Sequence, residues 1–162
     1  PELTENIARA YAPNGRRQFD NEVVGHQIFD TALQVIAIAY EETPEPVSRP
    51  IPLGRHLDGY RIGFDLGGSD RKCAAVIDGT VVHAEEVPWD PYFQTNVDYH
   101  LDGIRDSLKR AAAHLPRVDA IGGSSAGVYV NNQVRVASLF RGSAKESFHK
   151  QVQDLFIQSR QE

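Results

Sequence analysis

The chain reads as an α/β protein in which a strand-rich lobe follows a helical N-terminal extension. Two observations lead there. Between Tyr60 and Val87 three apolar runs are separated by Gly67-Gly68-Ser69 and by Asp78-Gly79, the punctuation of consecutive antiparallel strands. Directly afterwards Val97, Leu101, Ile104, Leu108, Ala111 and Leu115 recur at helical spacing and lead into a further apolar run, Val118 to Gly122.

From the N-terminus, Leu3 to Ala10 predicts a short helix capped by Thr4 and broken by Pro13-Asn14-Gly15. A stronger helix is expected from Asp20 or Asn21 to about Glu42, ended by Thr43-Pro44-Glu45-Pro46. No charged residue occurs between Asp30 and Glu41, so that helix is apolar nearly all round and needs cover on several sides. The cover is a lobe of this chain or a second copy, which would make residues 20–42 a homo-oligomer interface. Pro44 to Pro52 reads as a stiff extended connection. The expected division is therefore a helical extension with its linker at 1–57 and a lobe at 58–162.

Within the lobe the first strand ends on Asp65, the second runs from Cys73 to Ile77 and the third from Thr80 to Val87. An aromatic loop, Trp89-Asp90-Pro91-Tyr92-Phe93, precedes a helix over about 96–114. Val118 to Gly122 reads as a buried strand feeding the turn Gly122 to Gly127. Val128 to Val130 and Val134 to Val136 flank Asn131-Asn132-Gln133 as a hairpin. Ser143 to Glu146 forms a capping box, and Phe148, Val152, Leu155 and Phe156 give a last helix its apolar stripe.

Composition narrows the function classes. The 162 residues, 41% hydrophobic and 24% charged, suffice for one domain with a real core. A formal net charge of -5 argues against broad contact with nucleic acid or anionic membrane. The longest apolar stretch, Thr31 to Tyr40, is short of a bilayer span. Cys73 is the only cysteine and falls in an alternating strand, which suggests buried packing in a reduced, cytoplasmic protein. The six histidines form no local ligand pair, and neither a Walker A sequence nor a nucleophile elbow is present.

Chemistry concentrates at two glycine turns. Asp65 lies inside an apolar strand, where a carboxylate costs stability unless it is hydrogen-bonded or near a cation. Gly67, Gly68 and Ser69 follow at once, and successive turn amides form an anion-binding concavity. The bland alternative is a plain β-turn. At the second turn Ser124 and Ser125 offer hydroxyls suited to a polyol beside Gly127; a ligand-free strand exit accounts for it equally. Trp89, Tyr92 and Phe93 read as packing residues. Asp98, Asp102 and Asp106 read as a solvated helix face.

Asp65-Leu66-Gly67-Gly68-Ser69 followed by two strands with an Asp-Gly turn resembles the first phosphate motif of the actin-like ATPase superfamily, and most closely the ROK group of sugar kinases. Ser69 stands for the family's threonine. Asp70 stands where Lys or Asn is common, which leaves Lys72 or Arg71 as the basic contact. Ala126 replaces a proline of the family's sugar-side turn, and Gly127 matches its glycine.

The resemblance covers about residues 58–142. It implies a mixed five-stranded ribonuclease-H-like lobe with helices on the sheet. It implies ATP and Mg²⁺ as cofactors, with Asp65 serving catalysis by holding the metal. Gly67, Gly68, Ser69 and Lys72 would hold phosphate, and Ser124, Ser125 and Gly127 the sugar. The family's general base is expected beyond Glu162, so the reading is an N-terminal lobe of an ATP-dependent sugar kinase, inactive as this chain alone. The alternative is a non-catalytic sugar- or partner-binding regulatory module of the same fold. An acyl-CoA dehydratase activator needs cluster cysteines that Cys73 alone does not supply. Residues 1–57 offer no basic recognition helix for DNA.

Overall fold

A computed structural model describes residues 2–48, 56–144 and 148–152. The chain divides into two compact units, Pro1–Leu53 and Gly54–Glu162.

In the first unit α1 spans Glu2–Tyr11, with Glu2 and Glu5 in its first turn and Arg9 in its last, matching the helix dipole. Thr4 lies inside this helix and is not its cap. The chain leaves α1 through Asn14 at φ 67°, and the Gly15 amide donates to the Ala12 carbonyl at 2.8 Å. A short α2, Gln18–Asp20, runs on as a π-helical segment, Asn21–Ile28.

The long helix expected over 20–42 does not form. Asp30 adopts φ 55°, and the Thr31 amide turns back to the Gly25 carbonyl at 3.1 Å. Gly25 permits that return, because a Cβ there would sit 2.7 Å from the Thr31 oxygen. Asn21, 4% exposed, fastens the fold-back by donating to the Tyr11 carbonyl at 2.8 Å and accepting from the Leu33 amide at 3.3 Å. Beyond it, the β-branched Val35, Ile36 and Ile38 disfavour helix. Residues 32–39 are irregular, and only a 3₁₀ turn, Tyr40–Glu42, follows. Ile36 and Tyr40 are 71% and 89% exposed. The expected oligomer interface therefore has no continuous helix to present. Pro50 and Pro52 of the expected linker lie outside the described residues.

In the second unit β1 (Tyr60–Leu66), β2 (Asp70–Ile77) and β3 (Thr80–Pro88) form an antiparallel meander. Helix α3 (Asp98–Ala112) then carries the chain to β4 (Ala120–Ser125), which pairs parallel with β1. The order across the sheet is β3-β2-β1-β4. Asp78 and Gly79, at φ 47° and 81°, supply the two left-handed positions of a two-residue hairpin.

The described residues give this sheet four strands where five were expected. β5 (Val128–Val130) and β6 (Gln133–Val136) pair with each other as a separate two-stranded sheet. Gly127 at φ 150° turns the chain out of β4, and Asn131 and Asn132, at φ 54° and 66°, close a tight hairpin. The protein is thus a mixed α/β fold with a four-stranded mixed sheet, a small hairpin sheet and helices.

Strand alternation gives the main sheet two unlike faces. Ile62, Cys73 and Ala75 cluster with Ala111 of α3, and Phe64 and Leu108 pack against them. Leu66, Val97, Ile104, Val134, Leu139, Phe140 and Val152 form a second cluster. Of the last predicted helix, residues 148–152 form a π-helical segment with Val152 buried; Lys145, Glu146, Leu155 and Phe156 lie outside the described residues.

Candidate functional site

β1, β3 and β4 all run the same way, so the loops that follow them meet at one end of the sheet. Ligands of α/β folds favour such carboxyl ends. Asp65 is the last residue of β1 on the face away from α3. Its register partner on β4 is Ser124 and on β2 is Lys72, whose own partner on β3 is Glu86. The four side chains form one polar row across the sheet.

The groups of this row are engaged with one another. The Ser124 hydroxyl donates to Asp65 Oδ1. The Lys72 ammonium pairs with Asp70 and lies 3.8 Å from Glu86. The hydrogen bond from Lys72, then that from Ser69 at 2.8 Å, holds the Asp70 carboxyl below the usual carboxylate range. In turn Asp70 raises Lys72 above the ordinary lysine value, with smaller help from the charges on Glu86 and Asp65. Glu86 escaped the sequence reading because only strand pairing brings it to Lys72.

Behind this row the same face is nearly bare. Its next register positions are Gly122, Gly63, Ala74 and Ala84. A Cβ at Gly63 or Gly122 would meet nothing within 4 Å.

The glycine bend is shaped by the aromatic loop. Trp89 Nε1 donates to the Gly67 carbonyl at 2.8 Å, and the Trp89 amide to the Ser69 carbonyl at 3.0 Å. Gly67 N–H is closed onto the Asp70 carbonyl at 2.9 Å. Any side chain at Gly68 would collide with the Tyr92 phenol. Close aromatic packing thus explains this glycine without a ligand. The amides of Gly68 and Ser69 nevertheless make no hydrogen bond to another described residue, and Ser69 is exposed.

Arg71, the other basic candidate, points away from this site. It is 8% exposed and donates to the Gly103 carbonyl, to Ser107 Oγ at 2.8 Å and to Asp106 at 2.9 Å. Asp106 is therefore a structural partner rather than a member of a solvated acidic row, whereas Asp98 and Asp102 are exposed.

The strand expected to be buried and to end at Gly122 is largely exposed and runs on to Ser125. The second turn therefore begins only after Ser125, and of the two serines only Ser124 stands beside Asp65. The Ser125 hydroxyl is buried, and Tyr129, whose phenol burial pushes up, interacts with it. Gly127 is required by the turn itself, since a Cβ would strike the Val136 carbonyl.

Two further residues organise this end of the sheet. His100, fully buried, places Nε2 3.1 Å from the Pro91 carbonyl and 2.8 Å from that of Leu139, tying the aromatic loop to the segment 138–142. Its spacing with Val97, Ile104 and Ala111 on the buried stripe was the available signal. The Arg141 guanidinium lies 4.1 Å from the centre of the Tyr92 ring and 5.3 Å from that of Phe93, which is 74% exposed.

No family model matches the chain, and no curated protein matches it.

Proposed function

We propose that the Gly54–Glu162 unit is the phosphate-side lobe of an ATP-dependent sugar kinase of ROK type, built on a ribonuclease-H-like plan. The observation that supports this best is the pairing of Asp65 with Ser124 at the carboxyl ends of parallel β1 and β4, beside a bend with two uncommitted amides. In this reading Gly68 and Ser69 grip phosphate from their backbones, and Ser124 fixes the rotamer of Asp65 and borders the sugar. Ser125 and Gly127 support the turn rather than touch substrate.

Mg²⁺ fits Asp65 in a limited sense. The ion keeps several waters and uses one or two carboxylates together with phosphate oxygens. Asp65 has one oxygen taken by Ser124, and its second makes no hydrogen bond among the described residues. Those residues contain no group of three or more His, Cys, Asp or Glu placed to hold a metal, so water and phosphate oxygens would supply the remaining ligands. When bound, the cation would shield the charge of the phosphoryl group in transfer.

A second reading has its own support. Tyr92 against Gly68, and Lys72 engaged by Asp70, suit a non-catalytic module that keeps the fold and binds a sugar or a partner. Calorimetry with MgATP separates the two. The kinase reading expects binding that Asp65→Asn weakens by about 10-fold or more. MgATP silence combined with heat from a hexose panel would favour the binding module. Turnover of a hexose by this chain at an ordinary kinase rate would refute the expectation that it is inactive alone.

A further inference from the structure

Two observations at the glycine bend stand unexplained by packing. The Gly68 and Ser69 amides point no hydrogen bond at any described residue, and Arg141 forms no ion pair with one. Gly68 and Arg141 lie against the same side chain. Tyr92 abuts Gly68 at its hydroxyl end and carries the Arg141 guanidinium on its face, with Phe93 as a second support. A guanidinium stacked on rings keeps its in-plane N–H fork free for a planar or tetrahedral anion.

We infer that Arg141, together with the Gly68 and Ser69 amides, forms an anion site for phosphate oxygens, and that Arg141 supplies the basic contact at this bend. This rests on the kinase reading for its choice of a nucleotide as the source of the phosphates. The anion chemistry itself does not need that reading.

The site is built from parts that hold each other in place. Leu139 and Phe140 are buried immediately before Arg141, and the Arg141 amide donates to the Ser138 carbonyl at 3.2 Å. Gly142 seats the segment against the aromatic loop, where a Cβ would sit 2.6 Å from the Gln94 carbonyl. His100 bridges the two loops from beneath. Lys72 is a poorer candidate, because an incoming phosphate must compete with Asp70 for its ammonium.

Calorimetric titration of the whole chain with inorganic tripolyphosphate and, separately, with MgATP tests the assignment. Arg141→Gln should weaken tripolyphosphate binding by about 10- to 100-fold, as loss of a charge-assisted contact does. Arg141→Lys should fall between, having charge without the fork. Phe93→Ala should cost about 2- to 5-fold by removing one ring beneath the guanidinium. The affinity of the unaltered chain should also fall more steeply with salt than that of Arg141→Gln. Circular dichroism of Arg141→Gln should match the parent, since this side chain is exposed.

Equal affinity of parent and Arg141→Gln overturns the assignment while leaving the kinase reading standing. Tripolyphosphate binding that depends on Arg141, without any MgATP binding, upholds the anion site and removes the nucleotide. No binding of either probe at millimolar concentration overturns both.

Discussion

The two faces of the four-stranded sheet are made by alternate residues of the same strands, yet they have opposite characters. Toward α3 stand Ile62, Phe64, Leu66, Arg71, Cys73 and Ala75; away from it stand Gly63, Asp65, Lys72, Ala74, Gly122 and Ser124. Arg71 and Lys72 are neighbours with the same charge, and one is a buried girder while the other is an exposed partner of Asp70. The difference teaches where stability and chemistry are separated: the helix-covered face holds the fold, and the bare face carries the polar row. Changes to paired positions on the two faces can break that division or sharpen it.

The largest contrast is expected at β2. Arg71→Met would remove the donor shared by the Gly103 carbonyl, Ser107 and Asp106, leaving Asp106 to Arg110 alone, at a cost of about 3 kcal/mol in urea unfolding. Lys72→Met should leave the unfolding midpoint unchanged. Equal losses at the two positions would erase the distinction between the faces.

Next come the adjacent glycines of β4. Gly123→Ala pushes a methyl into the Phe64 ring and should cost about 1–3 kcal/mol. Gly122→Ala meets open space and should be neutral or stabilising by up to about 1 kcal/mol. A larger loss at Gly122 would mean that the bare face is covered in solution.

A smaller effect is expected in acid. Hydrogen bonds from Arg71 first, and then from Arg110, hold the Asp106 carboxyl below the usual range. A depressed carboxylate contributes stability that is present above its unfolded value near pH 4 and lost as pH falls through the lower folded value. Asp106→Asn should therefore lower stability at neutral pH and flatten the acid limb of the unfolding profile. An unchanged limb would show that the pair contributes nothing.

The mildest test is chemical. Burial, with the charge and hydrogen bond of Glu85, raises the Cys73 thiol above its ordinary value. A disulfide reagent should label it only as denaturant opens the α3 face. Prompt labelling of the native protein would place that face in contact with water.

Much of the second unit was legible because its signals are local. The strands around Asp78-Gly79 and the stripe from Val97 to Ala111 emerge within two or three residues of where spacing put them. The segment from Asp20 to Glu42 misled for a physical reason: apolar content resembled a buried helix, but Gly25 and Asp30 close a fold-back that hydropathy does not register. At the candidate site, Asp65, the glycines and Ser124 were found as motifs. Glu86, His100 and Arg141 were not, since each has meaning only through a neighbour supplied by another element.

Within the second unit, residue order alone determined where the meander strands and the helix after them run, where the hairpin at Asp78-Gly79 turns and which side chains share a side of each strand. These follow from backbone geometry over a few residues. Tertiary packing alone decided which side of the sheet is covered, which of two adjacent cations is buried, and what occupies the space at Gly68. Those outcomes depend on partners far apart along the chain, 35 residues for Arg71 with Asp106 and 59 for Ser124 with Asp65, and no local pattern encodes such meetings.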